Sequence, residues 1–527
     1  MPLRGPDSGT AVLHAVLFYR MTDRALPLDP SAAESFDPAS PAAWDALRTL
    51  GHRMLDDMLD AQQQLAAAPT WQEVPSDKRV LFDAGVPQVG VGAEGAYELF
   101  RSHILPYGNG NWHPRFFGWV QGQGTPLAML AEMLAAGMNP NVGGFNQAPV
   151  MVERQVISWL AALMGIPEAG GLLVTGGTTA NTHGLGVARF WAARQRGRDV
   201  RANGLQAWPH EEAVRPLVFY GSTETHSWAR KAAEWLGLGD RAFRRVPVTS
   251  AYEMDVNALC RQIADDREGG LDPFCVMGSA GTVNTGATDD LTAIAAVCRR
   301  EQLWFHVDGA FGALAALAPS VREQVRGMEL ADSVAFDLHK WGSMPFECAC
   351  VLVRDASINH DTFRATASYL AATTRGLSAG GVFFADRGLD LTRGFKALKV
   401  WMQLQADGAS KLGRIIDQNV RQAQMLATAV EAHAELELLA PAPLNVVCFR
   451  YRSPDRTASE LDALNQELLL RLQERGIAAP SGTVIGGFYA IRVAHVNHRT
   501  TDADMTLLVE SVVTLGREII DERWRDG

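Results

Sequence analysis

Four short stretches carry residues that could do chemistry, and each stands where an apolar run gives way to small or polar residues. In SVAFDLHKWGSMPF (333–346) the run leads to Asp337, and His339, Lys340 and Trp341 follow. Lysine is rarely kept inside a protein unless it is paired or chemically used, so Lys340 is a candidate Schiff-base amine. In LWFHVDGAFG (303–312) Asp308 follows strongly apolar and aromatic positions. A carboxylate at the end of a buried strand needs a cation or strong donors. TGGTTANTHG (175–184) follows the run LLV, and its glycines permit a tight turn into a helix. A helix start offers N–H groups to an anion, and Thr178 and Thr179 add hydroxyls; a capped helix start without a ligand would look the same. GSTETHSWARKAAEWLG (221–237) places His226 at another helix start, where an imidazole could stack on a planar ring, transfer a proton or simply cap.

Together these parts match one ligand. Pyridoxal phosphate needs a Schiff-base lysine, an acidic partner for the pyridinium nitrogen and a phosphate site. An aspartate keeps the ring nitrogen protonated, so that the ring can accept electrons. Lys340 lies 32 residues after Asp308, room for one strand–helix–strand unit that would turn both side chains into one pocket. The glycine stretch at 175–184 lacks the spacing of a dinucleotide site and the lysine of a P-loop. There is no H-E-x-x-H, and no metal is expected.

The elements that must position these residues are visible as a rhythm. From about residue 170, short apolar runs (GGLLVTGG, PLVFYGS, PFCVMGSAG, LWFHVDGAFG, SVAFDLHKW, ACVLVRD) alternate with helical stretches. That alternation predicts an α/β fold with a buried, mostly parallel sheet, whose ligands sit outside the carboxyl ends of the strands. Upstream, residues 1–40 read as a loosely ordered leader, within which AVLHAVLFYR (11–20) faintly resembles a signal-peptide core. PAAWDALRTLGHRMLDDMLDAQQQLAAAP (41–69) reads as a long amphipathic helix. Two helices are expected over 125–165, and a long one over about 394–435. A strand LNVVCFRY, a helix and a strand FYAIRVAHV then form a smaller α+β C-terminal domain. The expected division is a leader (1–40), an N-terminal helical segment (41–128), a large cofactor-binding domain (129–400) and a small domain (401–527).

Composition narrows the class. Of 527 residues, 47% are hydrophobic and 20% charged, with a net charge of -11. That balance argues against nucleic acid and against anionic membrane surfaces as partners. Six cysteines make no disulfide framework; Cys348 and Cys350 alternate within a strand-like run and read as packing. No apolar run approaches the ~18 residues of a bilayer span. The expected location is cytoplasmic.

From about residue 40 to the C-terminus the chain resembles the group II pyridoxal-phosphate decarboxylases, which include aromatic amino acid, glutamate and diaminobutyrate decarboxylases. The resemblance rests on NWHPRFFGW (111–119), GGTTAN (176–181), HSWARKAA (226–233), GTVNTGA (281–287), HVDGAFG (306–312), DLHKW (337–341), RGFKALKVW (393–401) and IRVAHVNHRTT (491–501), in the family's order. It implies a fold of type I, that of aspartate aminotransferase, and a homodimer with the active site at the interface. The helix at 41–69 would then wrap on the partner subunit. Lys340 resembles the Schiff-base lysine, and Asp308 the pyridinium partner, with Ala310 against the ring. His226 resembles the histidine stacked on the cofactor. Gly177, Thr178 and Thr179 resemble the phosphate cradle, with Asp337 and His339 nearby, and Thr282 resembles a threonine close to the ring.

The implied reaction is decarboxylation of an L-amino acid to the amine and CO2. Tyr369 resembles the loop tyrosine that returns a proton to Cα; the glycine-rich ASYLAATTRGLSAGGVFF around it suits a lid. Phenylalanine there would be typical of the family's aldehyde synthases. Trp112, Trp119, Val120 and Phe145 align with side-chain pocket positions, which favours an aromatic substrate. Arg492 aligns with an arginine that holds the distal carboxylate in glutamate decarboxylases, so an acidic substrate stays open. The run Gln121–Gly122–Gln123–Gly124 replaces the less glycine-rich run usual in animal aromatic decarboxylases. An aldehyde synthase or transaminase, or a non-catalytic cofactor-binding homologue, are the competing readings.

Overall fold

The computed structural model of the chain describes residues 35–205, 214–365, 374–379 and 383–524. They fall into two compact units, one running to Gly110 and including Glu474–Gly476, the other holding Asn111–Gln473 and the rest. In the first unit, the helix Pro41–Gln63 starts where a serine cap and a proline coincide: the Ser40 hydroxyl accepts from Ala43 N–H, and Pro41 has no N–H to satisfy. It ends at Gln63, and a single 3-10 turn, Leu65–Ala67, completes the stretch. The helix Gly92–Leu99 is tied to it by Tyr97, whose hydroxyl donates to Asp57 at 2.6 Å.

The second unit is built on two sheets. The larger has seven strands: β1 (Gly170–Val174), β2 (Leu217–Ser222), β3 (Phe243–Val246), β4 (Asp272–Ser279), β5 (Trp304–Asp308), β6 (Ser333–Asp337) and β7 (Ala349–Val353), in the order β1-β7-β6-β5-β4-β2-β3. β3, β2, β4, β5 and β6 run parallel, whereas β7 is antiparallel to both its neighbours. β1, β2, β5, β6 and β7 are buried along their whole length. Continuous burial explains why their sequences are unbroken apolar runs rather than alternating ones. The smaller sheet is antiparallel, β8 (Leu436–Leu438), β9 (Val446–Tyr451), β10 (Ser481–Ile485) and β11 (Phe488–Ala494), in the order β10-β11-β9-β8.

Three expectations change in detail. The connection from β5 to β6 contains only 3-10 turns, Gly312–Leu317, Arg322–Val325 and Met328–Leu330, in place of an α-helix. Alanine, proline and glycine crowd this segment, and it packs without a continuous helical face. Second, β6 stops at Asp337, so Lys340 stands on the following turn rather than on the strand. Third, the long helix Ala397–Ala432 bends at Gly408, whose φ of 72° is outside helical space and is open to glycine. All six cysteines are free thiols, five of them buried, as packing roles require. Among the described residues no helix is long and apolar enough to cross a membrane, and no cluster of His, Cys, Asp or Glu could hold a metal.

The open edge of β1 is closed by side chains. Leu173 N–H donates to Glu153 at 3.1 Å, and Leu173 C=O accepts from the Arg393 guanidinium, which also pairs with Glu153. Both side chains are buried, and Arg393 stacks on Phe384 at 5.5 Å. Burial pushes the Glu153 carboxyl up, and Arg393 opposes that shift. Removing one partner of a buried pair leaves an uncompensated charge. Arg393→Met is therefore expected to cost roughly 3 kcal/mol of stability in urea denaturation; a loss under about 1 kcal/mol would show that the clamp contributes little.

Candidate active site

The strand ends meet at one cleft of about 440 Å³. His226 reaches it from the segment after β2, Ser279 from the end of β4, Asp308 from the end of β5, Asp337 and Lys340 from β6 and its turn, and Thr175 to Thr179 from beyond β1. This is the carboxyl side of the parallel strands, where side chains converge without blocking the ladder.

Lys340 is held by its own turn. Leu338 and His339 N–H both donate to Cys348 C=O at 3.0 Å, and Met344 N–H donates to Leu338 C=O at 3.0 Å. Trp341 is fully buried, with its indole N–H on Asn419 at 3.0 Å. Gly122 N–H donates to His339 C=O at 3.1 Å, and a Cβ at 122 would stand 2.1 Å from that oxygen. The unusual glycine in the 121–124 run thus serves close approach to the lysine turn. Lys399, buried, donates to Pro345 and Glu347 C=O and fixes the far side of the loop. The Lys340 ammonium projects into the cleft and pairs with Asp337 Oδ2 at 2.8 Å.

Asp308 is an acceptor at both oxygens. Ala310 N–H and Asn181 Nδ2 donate to Oδ1 at 3.1 Å each, and Trp228 Nε1 donates to Oδ2 at 2.6 Å. On His226, Nδ1 accepts from Trp228 N–H at 3.2 Å, which leaves the proton of the neutral ring on Nε2. Burial lowers its pKa below the ordinary histidine value, with Asp308 pulling the other way. His339 accepts at Nδ1 from Cys348 N–H at 3.1 Å, and its ring lies 4.6 Å from that of Phe346. Its pKa is also lowered, chiefly by burial, with Asp337 opposing.

The helix Gly177–Gln195 begins without a side-chain cap, and Thr178 and Thr179 stand exposed at its start. A Cβ on Gly177 would lie 2.8 Å from Asp337 Oδ2, so only glycine lets the helix start this close. Asp337 Oδ1 is buried with no hydrogen-bond partner among the described residues. Thr282 and Ala310 complete the wall, with Thr282 Oγ1 3.1 Å from Thr285 Oγ1.

The pocket residues divide. Trp119 and Val120 line the cleft, both in left-handed backbone (φ 53° and 59°). Trp112, Phe145 and Arg492 do not reach the lining. Trp112 is half-buried elsewhere, and Phe145 packs edge-on against Phe383 at 5.8 Å. Arg492 is buried in β11, its guanidinium taken by Val283 C=O, Asn284 C=O and Ser481 Oγ. Tyr369 lies outside the described residues. Sequence reasoning passed over Asn181, Trp228, Glu224, Phe346 and Glu347, all on the lining. Asn181 and Trp228 stood inside motifs already singled out; a helical count from Gly177 turns Asn181 to the same face.

The cleft suits pyridoxal phosphate: a half-buried lysine amine that opens onto it, an accepting carboxylate on the central strand, and an uncapped helix start. A model of the pyridoxal-dependent decarboxylase conserved domain matches residues 75–452. The chain belongs to this family. Its members' cofactor is pyridoxal phosphate, and the enzyme is a pyridoxal-dependent amino acid decarboxylase. An aromatic-L-amino-acid decarboxylase of Bacillus atrophaeus is 29% identical over 480 residues, covering 90% of this chain and 96% of its own. The crystal structure of Oryza sativa TDC with PLP and tryptamine is similar with a TM-score of 0.83 at 25% identity, covering 92% of this chain and 100% of that one. The glutamate decarboxylase domain of a diaminobutyrate-pyruvate transaminase and L-2,4-diaminobutyrate decarboxylase from Vibrio parahaemolyticus follows with a TM-score of 0.79 at 26% identity, covering 92% and 97%. This decarboxylase thus has the type I fold that the family resemblance implied, built on the mostly parallel sheet that its strand rhythm indicated.

Proposed function

We propose that the chain decarboxylates an aromatic L-amino acid to the amine and CO2, with pyridoxal phosphate held at Lys340. The observation that carries this is the convergence of Lys340, Asp308 and His226 on one cleft whose rim is aromatic. Lys340, Asp308, Ala310, Thr282, His226, Gly177, Thr178, Thr179, Asp337 and His339 would hold the cofactor. When bound, the cofactor supplies the sink for the electrons left behind as CO2 departs.

The chain's own residues do the rest. Asp337 pairs with the Lys340 ammonium and orients it into the cleft, and Lys340 is the nucleophile once its proton has left. Asp308, held by donors at both oxygens, keeps one acceptor site on Oδ2 for a ring N–H and cannot turn away. Neutral His226 presents Nε2–H toward the cleft and can steady a departing carboxylate without a full countercharge. Tyr369 delivers the proton to Cα.

Two features support an aromatic side chain. Trp119, Val120, Phe311 and Phe346 offer apolar and π surface on the lining. Lys340 is the one lysine or arginine among the described lining residues, while Glu224 and Glu347 add carboxylates. A distal substrate carboxylate would meet repulsion there, and the guanidinium of Arg492 is already spent on backbone carbonyls. Incubating the purified protein with tyrosine, tryptophan, dopa, glutamate and diaminobutyrate, with amine and CO2 measured, tests the reading. Turnover of aromatic substrates is expected; turnover of glutamate alone would overturn it. Tyr369→Phe is expected to cut amine formation by roughly 10²-fold or more, with aldehyde, ammonia and hydrogen peroxide rising as dissolved O2 is consumed as the oxidant; an unchanged amine yield would remove Tyr369 from the mechanism.

We further infer a cytoplasmic homodimer, with the segment 41–128 against the partner subunit. Trp44, Leu47 and Met54 are exposed on the helix Pro41–Gln63, apolar surface that a partner would cover. Sedimentation at the mass of a monomer would refute the dimer.

A further inference from the structure

Behind Asp308 runs a line of buried polar side chains that the proposed reaction does not use. Trp304 Nε1 lies 2.8 Å from Ser333 Oγ, and Ser333 Oγ lies 2.8 Å from His306 Nδ1. His306 Nε2 lies 2.8 Å from Asn181 Oδ1, and Asn181 Nδ2 lies 3.1 Å from Asp308 Oδ1. These residues come from β5, β6 and the helix Gly177–Gln195. Trp304, Ser333, His306, Asn181 and Trp228 are all buried.

The chemistry of the groups sets one direction. An indole N–H can only donate. Ser333 Oγ accepts from Trp304. Because the Asp308 carboxylate at the other end can only accept, Asn181 turns Nδ2 to Asp308 and Oδ1 to His306, so that Ser333 gives its own O–H to His306 Nδ1. That leaves the His306 proton on Nε2, which donates to Asn181 Oδ1. With its oxygen engaged, Asn181 donates through Nδ2 to Asp308. On the other side Trp228 Nε1, again only a donor, closes on Oδ2. The acceptor-only Asp308 carboxylate thus sets the amide orientation, the tautomer and the Ser333 rotor, with Trp304 N–H as the first donor of the chain. Burial depresses the His306 pKa to about 4, consistent with a neutral ring in the chain.

The surrounding backbone is cut to fit this arrangement. A Cβ on Gly184 would stand 2.5 Å from His306 Cε1, so the helix that carries Asn181 leaves out a side chain where the imidazole lies. Apolar residues of the same shape would fill this space without the cost of five desolvated polar groups.

We infer that Trp228, Asn181, His306 and Ser333 are positioning residues: a one-directional hydrogen-bond chain that presents the Asp308 carboxylate, as an acceptor only, to the ring nitrogen of bound pyridoxal phosphate. The inference rests on the reading of Asp308 given under Proposed function. Its consequence is that His306 and Ser333, which do not line the cleft, help govern how firmly the cofactor is held and how its absorbance is distributed.

The test compares the parent holoenzyme with Trp228→Phe, Asn181→Leu, Gly184→Ala and Ser333→Ala, measuring pyridoxal phosphate affinity, the ratio of near-ultraviolet to visible absorbance of the bound cofactor, and the thermal midpoint. Trp228→Phe keeps the ring bulk and removes one charge-assisted donor, so a weakening of cofactor binding of ~10-fold or more is expected, with a changed absorbance ratio. Asn181→Leu should match it. Gly184→Ala and Ser333→Ala leave every direct contact of Asp308 in place and should shift the ratio in the same direction. Should the two direct variants not fold, the two remote ones decide the question alone. Folded variants with parental affinity and parental absorbance would overturn the inference, even with a lowered thermal midpoint, because a structural role alone predicts that pattern. A parent protein that binds no pyridoxal phosphate would instead overturn the reading of the site itself.

Discussion

Lys340→Ala is expected to abolish the visible absorbance of the bound cofactor and to lower decarboxylation by at least ~10³-fold. The geometry explains the size. Lys340 is the one lysine on the lining among the described residues, and its turn is pinned by Cys348, Asn419 and Gly122. No other amine can be brought to the same place without breaking those contacts. A second effect follows from Asp337, whose buried Oδ2 has Lys340 Nζ at 2.8 Å as its cation. Loss of the ammonium leaves that carboxylate uncompensated, which is expected to cost about 1–3 kcal/mol of stability. Adding Asp337→Asn to the alanine variant should recover stability without recovering turnover. Absorbance spectra, CO2 release and denaturation curves separate the two effects. A visible band that persisted in the alanine variant would remove Lys340 from its assigned role.

Asp308→Asn is expected to lower turnover by roughly 10²–10³-fold. Asparagine has one accepting oxygen where aspartate has two. Whichever way the amide faces, its NH2 meets a donor: Trp228 Nε1 on one side, or Asn181 Nδ2 and Ala310 N–H on the other. The amide also cannot carry the charge that keeps a pyridine nitrogen protonated. Steady-state rates with the aromatic substrate and cofactor retention on dialysis give the readouts. Turnover within about threefold of the parent would show that the carboxylate charge is not used.

Much of the site was legible because each part has a local signature. Lys340, Asp308, His226 and Thr178–Thr179 all follow runs that fill a buried strand, and such strands end where the apolar run ends. Gly177 shows the same logic: a glycine before a helix marks close approach, and the partner proves to be Asp337. The family motifs suggested roles that periodicity cannot supply, the one proposed for Tyr369 above all.

The partners were not legible, because they join residues far apart in the chain. Asn181 reaches Asp308 across 127 positions and Trp228 across 80, and no local pattern encodes which donor will face which carboxylate. Arg492 shows the converse. Its motif points to a substrate carboxylate, yet folding places its guanidinium on the carbonyls of Val283 and Asn284. The antiparallel course of β7 was equally hidden, since a strand buried on both faces has the same apolar run in either direction. What the sequence by itself determined is the set of chemical groups, the cofactor they suit and the strands that end in them. Only the tertiary structure decided how those groups are wired, because hydrogen-bond direction and the burial of a charge depend on neighbours that folding alone brings together.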